Sequence, residues 1–412
     1  MEAQTEKKIS TVHLQQGMYV TNLDRPWIDT PFLIQGFLIR DEEEINMLKK
    51  YCEHVFIDTD KGIDTAHFVH ASQRLKTNER LEQCLVDQTK LVEYVDSKAT
   101  GEEMPVARMA IDEASNRVVT IMESVKSGEK LDVEQVKTVV EPIVESIIRN
   151  PDALMWLTQM RHKDAYTYTH SVDNCALAIA FGRHMGLPKS DLDVLAMGLL
   201  LMDVGKMRIP AEVLNKAEPL TEAEYKLVRS HVKHSVDILK ESEDIDIDII
   251  NIALTHHERF DGSGYPGGLT GPETPVYGRI AAIIDCYDAM TSKRRYAKAV
   301  PGALAIKKLY EWKDRDFQGE LVEAFIQAIG IYPAGSLVEL STGEVAVVVA
   351  EYRTRRLRPQ VMIVLDRSKQ PLSEVRMLDL KETEQTPDGE TLEIVNALSP
   401  DDYGIDMGDF EL

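Results

Sequence analysis

The residues with the clearest chemistry are two adjacent histidines and a carboxylate, His256, His257 and Glu258, which run directly into a glycine-rich turn. Imidazole and carboxylate groups together suit a divalent transition metal such as zinc, iron or manganese. The loop from Asp261 to Pro275 holds five glycines and three prolines, more than a helix or strand tolerates. A pair of histidines at a helix end, hydrogen-bonded to nearby backbone, remains the alternative for this stretch taken alone.

Four further residues of ligand type lie on separate predicted elements: His170, Asp203, His231 and Asp285. Asp203 follows an apolar run and Asp285 interrupts one, and an unpaired charge in either place is costly, so each is expected to face a cation. Taken singly, a helix-end carboxylate or a satisfied core histidine is the commoner role. Together, two carboxylates and four histidines are enough for a dinuclear metal centre in a bundle core, which would lower the pKa of bound water toward neutrality.

The elements that position these residues are predicted to be helices, because the helical period dominates from Ala107 to Tyr332. Short strand-like segments with turns come before and after this block. We predict a mainly α fold: a helical bundle with a small N-terminal α+β domain and a short C-terminal β appendage. The predicted divisions are 1–62 for the α+β domain, 63–106 for a helical and polar connector, 107–332 for the helical domain, 333–378 for the β appendage, and 379–412 for an acidic, mobile tail without a stable fold.

Charge and cysteine usage narrow the class of partner. The formal net charge of -22 and the pI near 5.0 argue against a nucleic-acid polymer, since neutralising phosphates needs a basic face. The four cysteines are far apart and form no Cys-x-x-Cys pair, which fits a reducing cytosol. No apolar run approaches the roughly 18 residues that span a bilayer, so we predict a cytoplasmic protein with no membrane partner.

The order of these motifs resembles that of an HD-GYP domain, a bacterial branch of the HD phosphohydrolase superfamily. The residues that carry the resemblance are His170, Asp203-x-x-Lys206, His231, His256-His257-Glu258, Asp261-Gly-x-Gly-Tyr-Pro and Asp285. The N-terminal segment, from Gly17-Met18-Tyr19-Val20 to Thr30-Pro31-Phe32, resembles the small domain of unknown function that precedes HD-GYP in a subset of these proteins. The helical block is therefore expected to be an HD-type bundle.

The resemblance implies a phosphodiesterase that hydrolyses cyclic di-GMP to the linear dinucleotide or GMP by attack of metal-activated hydroxide. It implies two divalent metal ions, iron or manganese ahead of zinc, and no organic cofactor. Signalling proteins are further candidate partners, through the Gly-Tyr-Pro loop or the N-terminal domain. The implied roles are His170 and Asp285 on one metal; His231, His256 and His257 on the other; Asp203 as the bridge; Lys206 as a catalytic charge stabiliser at the phosphate; and Tyr265, Arg279 and Arg294 as substrate contacts. For Arg279 and Arg294, a solvated position on the protein surface is an equally good explanation for the presence of an arginine.

One position departs from the family pattern. Met202 stands where the family has the histidine of its histidine–aspartate pair. A thioether is a poor ligand for ferrous, manganous or zinc ions, so the metal shared by His170 and Asp285 loses one protein ligand. Water or His234 are the candidates to take its place. Two hypotheses follow: a working phosphodiesterase with a weakened metal site, or a degenerate domain that binds cyclic di-GMP or a protein partner without turnover.

Overall fold

The structure is a computed structural model that describes residues 6–11, 14–24, 37–39, 42–52, 54–58, 91–160, 166–216, 218–292, 299–352, 357–386, 389–399 and 402–404. The chain divides into two compact units, Met1–Leu81 with Gly267–Leu269, and Glu82–Pro266 with Thr270–Leu412. The predicted boundary at residue 62 lies outside the described residues. Of the helices that are described, none is both long and apolar enough to cross a membrane.

The N-terminal unit is a four-stranded antiparallel sheet with one helix, which confirms the predicted α+β character. Its strands pair in the order β1-β4-β2-β3. Its elements are β1 (Glu6–Ser10), β2 (Tyr19–Leu23), β3 (Phe37–Leu38), α1 (Glu42–Tyr51) and β4 (His54–Asp58). Alternate residues of β2 and β4, such as Val20, Val55 and Ile57, are fully buried and form a core with Leu48 of α1.

The second unit is built on helices, as predicted. They are α2 (Thr100–Lys126), α3 (Val133–Arg149), α4 (Pro151–Met160), α5 (Tyr166–His184), α6 (Lys189–Leu201), α7 (Ala211–Leu214), α8 (Glu222–Arg229), α9 (His231–Glu241), α10 (Ile247–Thr255), α11 (Val276–Thr291), α12 (Gly302–Glu311) and α13 (Gly319–Ile329). Asp132 caps α3 by accepting a hydrogen bond from the backbone of Gln135, and Thr221 caps α8 with a capping box completed by Glu224.

Helix α2 begins earlier than the helical domain predicted to start at residue 107. The helix begins at Thr100, within the segment predicted to be the helical and polar connector. Two glutamates follow in the first turn, where a negative charge is favourable at the positive end of the helix dipole. One of them, Glu103, is buried and accepts hydrogen bonds from Arg149 at 2.7 and 2.9 Å, which ties the start of α2 to the end of α3.

The C-terminal strands form one antiparallel sheet, ordered β8-β7-β6-β5-β9. They are β5 (Leu337–Leu340), β6 (Val345–Ala350), β7 (Gln360–Leu365), β8 (Pro371–Asp379) and β9 (Ile394–Leu398). The structure differs here from the prediction of an unfolded tail after residue 378. Strand β9 pairs with β5, and Leu380 and Leu392 enter the buried core of the sheet. The strand was not predicted because its five residues lie within an acidic segment, and the composition of that segment as a whole indicates an unfolded tail.

Candidate metal centre

Two close approaches at glycines bring the ligand-type residues together. Gly205, in the 3₁₀ turn that follows α6, donates its backbone N–H to Ser235 Oγ of α9 at 2.8 Å. An added Cβ at Gly205 would lie 2.1 Å from the carbonyl oxygen of His231, which is closer than two non-bonded atoms can approach. Likewise, a Cβ at Gly278 of α11 would lie 2.0 Å from Thr255 Oγ1 of α10. Glycine at both positions therefore lets four chain segments converge on one site.

The first cluster contains Asp203, His231, His256 and His257, whose ligand atoms lie within 4.8 Å of one another. Hydrogen bonds to backbone carbonyls assign the tautomers of two of the histidines. His231 Nδ1 donates to the carbonyl oxygen of Val228 at 2.7 Å, and His256 Nδ1 donates to that of Ala253 at 2.9 Å. Each neutral imidazole carries one N–H, so the Nε2 atoms of both rings are left as lone-pair acceptors.

Both Nε2 atoms face the carboxylate of Asp203. Asp203 Oδ1 lies 3.2 Å from His231 Nε2 and 3.8 Å from His256 Nε2, and the two nitrogens are 3.5 Å apart. Within the described part of the chain, this buried oxygen has no hydrogen-bond partner. Burial lowers the pKa of His256 to about 4, so its ring stays neutral. Three electron-rich atoms aimed at one point fit a metal cation, and the donor set therefore suits a divalent ion.

The second cluster contains His170, Asp203 and Asp285. His170 Nε2 lies 3.2 Å from Asp285 Oδ1 and 3.6 Å from Asp203 Oδ2, so the carboxylate of Asp203 reaches both clusters. Burial disfavours an imidazolium here, yet the carboxylates of Asp288, Asp203 and Asp285 raise the pKa of His170 well above its ordinary value. The negative charge of these carboxylates thus outweighs the effect of burial on the pKa of His170. A pocket with this much negative charge favours a bound cation.

Asp288 was not predicted from the sequence. It lies one turn after Asp285 on α11, is buried, accepts the Nδ1–H of His170, and itself accepts a hydrogen bond from Ser292 Oγ at 3.0 Å. A carboxylate in this position fixes the tautomer and the orientation of a metal-binding histidine. The sequence signal was a second aspartate at helical spacing inside an apolar helix.

Replacing Asp288 by asparagine is expected to weaken metal binding roughly 10- to 100-fold. The neutral amide loses the charge that holds the proton on Nδ1 of His170 and leaves Nε2 free for a metal. Isothermal titration with Mn²⁺ measures the effect. Ser292→Ala is the matched control, because it removes a hydrogen bond to the same carboxylate and should cost much less. Equal Mn²⁺ affinity in Asp288→Asn and the wild type would overturn this role.

Lys206 and Tyr265, both predicted to contact the substrate, lie next to residues of the first cluster. Lys206 Nζ lies 2.6 Å from Asp203 Oδ2. Burial favours the neutral acid, but Lys206 and the neighbouring histidines hold the pKa of Asp203 well below its usual range. The ring of Tyr265 stacks on His257 with centroids 4.6 Å apart, and the guanidinium carbon of Arg229 lies 3.9 Å above the tyrosine ring. The sequence analysis missed Arg229, whose position at the end of α8 gave no signal.

The glycine-rich loop holds Tyr265 in this position. A Cβ at Gly264 would lie 2.4 Å from the backbone nitrogen of Arg259, so the loop folds back onto its own start. The backbone N–H of Tyr265 then donates to the carbonyl oxygen of His257 at 3.2 Å. The Tyr265–Pro266 peptide bond is cis. The loop therefore places the tyrosine ring directly over a ligand-type histidine.

Four other residues of the sequence analysis differ in where they lie. Arg279 is 8% exposed, and its Nη1 donates to Gln318 Oε1 at 2.6 Å, so this guanidinium is engaged with the start of α13. Arg294 lies outside the described residues. Met202 is buried at the end of α6, next to Asp203. Among the described residues, His234 belongs to neither cluster, so the structure does not support it as the replacement ligand.

Three family models match the chain: a domain of unknown function (DUF3391) over residues 6–136, an HD domain over residues 146–321, and a KOW domain associated with HD domain over residues 337–405. The last match covers β9, in agreement with the folded C-terminal sheet.

Among similar proteins, a cyclic di-GMP phosphodiesterase of Pseudomonas aeruginosa is 33% identical over 384 residues, which cover 92% of this chain and 90% of the relative. A 3'3'-cGAMP-specific phosphodiesterase of Vibrio cholerae is 38% identical over 143 residues, or 34% of this chain and 27% of the relative. Among solved structures, an HD-GYP-type protein of Bdellovibrio bacteriovorus is 18% identical with a TM-score of 0.46, and the match covers 78% of this chain and 98% of that one.

Proposed function

Because the chain belongs to the HD-GYP family, we propose that it is a metal-dependent phosphodiesterase that hydrolyses cyclic di-GMP to the linear dinucleotide, GMP or both. The similarity to the Pseudomonas relative, which extends over nearly the whole of both chains, supports this choice of substrate. The observation that carries the proposal is the convergence of His231 Nε2, His256 Nε2 and Asp203 Oδ1 on one buried point. A divalent cation is a partner that such a set of imidazole and carboxylate donors suits.

In this proposal two metals share Asp203. One is held with His231, His256 and His257, and the other with His170 and Asp285. The mixture of imidazole and carboxylate suits iron or manganese, with zinc as a third candidate. When bound, such ions act as Lewis acids on phosphoryl oxygens and lower the pKa of water, so that a nucleophile is available near neutral pH.

The chain's own residues would then receive a dianionic ligand in a protein of net charge -22. Local cations must therefore meet the phosphates. Lys206 is suited to this task, because its ammonium contacts Asp203 and its side chain stays 21% exposed. Positive charge at this position stabilises the charge that develops on the phosphoryl oxygens when the bond from water to phosphorus forms and the bond to the ribose oxygen breaks. Tyr265 stays a candidate substrate contact through its ring edge or hydroxyl group, because His257 and Arg229 lie against the two faces of the ring.

The second candidate function is ligand binding without turnover, and Met202 is the observation that favours it. The metal nearest His170 has lost the family's histidine ligand, and a weakly held metal would leave a domain that binds the nucleotide and signals. Signalling partners that contact the Gly-Tyr-Pro loop or the N-terminal unit remain predictions under either function.

The experiment that tests the proposal measures nucleotide turnover by protein purified anaerobically and reconstituted separately with Fe²⁺, Mn²⁺ and Zn²⁺. Cyclic di-GMP and 3'3'-cGAMP are compared, because relatives of both specificities match this chain. Asp203→Ala provides the blank. Hydrolysis of cyclic di-GMP above the blank is the expected result. Binding of cyclic di-GMP without hydrolysis would replace the proposal with the non-catalytic function, and preferential hydrolysis of 3'3'-cGAMP would correct the substrate.

A further inference from the structure

Beside the second cluster lies a buried asparagine, Asn174, one polar atom of which has no hydrogen-bond partner among the described residues. Asn174 lies one turn after His170 on α5, so the two side chains share a helix face. It is 0% exposed, and its Nδ2 lies 3.2 Å from His170 Nε2. In the described part of the chain its Oδ1 has no hydrogen-bond partner. A buried amide oxygen without a partner is costly and calls for a ligand.

The nitrogen that Asn174 contacts is the one that would bind a metal. Because Nδ1 of His170 is engaged by Asp288, Nε2 is the ring nitrogen left to face a metal. Nε2 also faces Asp203 and Asp285. The amide nitrogen and oxygen of an asparagine exchange places by a half-turn of the group, and which one faces a neighbour depends on that neighbour's needs. A cation on Nε2 repels the amide N–H and favours the oxygen.

The spacing fits ligands of one metal. The amide of Asn174 lies 3.2 Å from His170 Nε2, the same distance that separates His170 Nε2 from Asp285 Oδ1. Two ligand atoms at right angles, each about 2.1 Å from a metal, are about 3 Å apart. Half-turning the amide moves Oδ1 into the place of Nδ2 without moving the helix. No change in backbone is needed to bring the oxygen to the metal position.

We propose that Asn174 Oδ1 is a metal ligand that compensates for the thioether of Met202 at the metal shared by His170 and Asp285. This inference rests on the two-metal site put forward above. The metal then has one imidazole nitrogen and three oxygens from the protein, counting the bridging Asp203. Such an oxygen-rich set favours manganese or iron over zinc at this position.

The test counts tightly bound Mn²⁺ per chain in the full-length protein, by titration and by the electron paramagnetic resonance signal of a magnetically coupled Mn²⁺ pair. The wild type and Asn174→Asp, which keeps an oxygen ligand, are expected to bind about two ions. Asn174→Leu, similar in size, is expected to bind one of them at least about 10-fold more weakly and to lose the coupled signal. Adding Met202→His to Asn174→Leu is expected to restore the tight binding of the second ion and the coupled signal. Unchanged binding of two ions by Asn174→Leu would overturn the proposal.

Asn251 offers a matched control. It is a buried asparagine of α10 whose Oδ1 also has no hydrogen-bond partner in the described part of the chain. Asn251→Leu therefore removes a similar amide outside the clusters and is expected to leave two ions bound; an equal loss would reduce the Asn174 effect to general loosening and overturn the inference. The counts need no substrate. If the wild type does not hydrolyse cyclic di-GMP but Asn174→Leu loses one Mn²⁺ ion as expected, only the proposed function is contradicted. If the wild type hydrolyses cyclic di-GMP but Asn174→Leu still binds two Mn²⁺ ions tightly, only the role of Asn174 is contradicted.

Discussion

Replacing Asp203 by alanine is expected to lower cyclic di-GMP hydrolysis by roughly 10³-fold or more and to remove tightly bound metal. Among the described residues, Asp203 belongs to both clusters, with Oδ1 3.2 Å from His231 Nε2 and Oδ2 3.6 Å from His170 Nε2. Without it, four imidazoles and one carboxylate remain, and the ligand shared by the two proposed metal positions is lost. Initial rates and metal content, measured on the same preparation, check the prediction.

The control for Asp203→Ala is Asp191→Ala. Asp191 is also a buried carboxylate, and it lies in the first turn of α6, whereas Asp203 follows the end of that helix. The helix from Asp191 to Leu201 alone separates them by about 15 Å along its axis. Its loss should affect stability more than turnover per folded molecule. Turnover by Asp203→Ala at the wild-type rate would contradict the assignment of Asp203 as the bridge.

Replacing Gly205 by alanine is expected to lower the free energy of unfolding by roughly 3 kcal/mol, at the upper end of the usual cost of overpacking. The added Cβ would lie 2.1 Å from the carbonyl oxygen of His231 and 2.3 Å from the backbone nitrogen of Ser235. Both are backbone atoms, so no side-chain rotation relieves the clash. The turn that follows Asp203 must move away from α9, which separates Asp203 from His231. Metal binding should therefore weaken along with stability.

Thermal unfolding and Mn²⁺ titration measure the two effects of Gly205→Ala. The matched control is Gly101→Ala in the first turn of α2, where an added Cβ meets nothing within 4 Å. That substitution should be neutral or slightly stabilising, because alanine is the better helix former. If Gly205→Ala unfolded at the wild-type temperature and bound metal normally, close backbone approach would not be what positions His231 beside Asp203.

The metal-ligand candidates were accessible from the sequence, since each carries its chemistry in its residue type. Adjacent histidines before a glycine-rich turn, and aspartates within apolar runs, have few structural roles of their own. Asp288 left only the signal of its helical spacing from Asp285, and Asn174 and Arg229 left none, because the importance of all three comes from contacts with residues on other elements. An asparagine in an apolar helix has no distinctive pattern until His170 Nε2 is found 3.2 Å from its amide.

For the fold as well, local features could be predicted from the sequence, whereas features that depend on distant contacts could not. Helix caps at Asp132 and Thr221 could be predicted from the sequence, because capping is local chemistry, and both side chains accept the backbone hydrogen bonds of a cap. The start of α2 and the strand β9 were missed because tertiary pairing decides them. Glu103 is buried through its contacts with Arg149, 46 residues away, and β9 is ordered by pairing with β5. Neither partner is visible in the local sequence.

The most direct test of the central claim is the rate of cyclic di-GMP hydrolysis measured against the number of Mn²⁺ or Fe²⁺ ions bound per chain. Metal-free protein, prepared with a chelator, is expected to be inactive. The rate is expected to rise with added metal and to level off at about two ions per chain, as in other two-metal sites. Hydrolysis at the full rate by the metal-free protein would contradict the account.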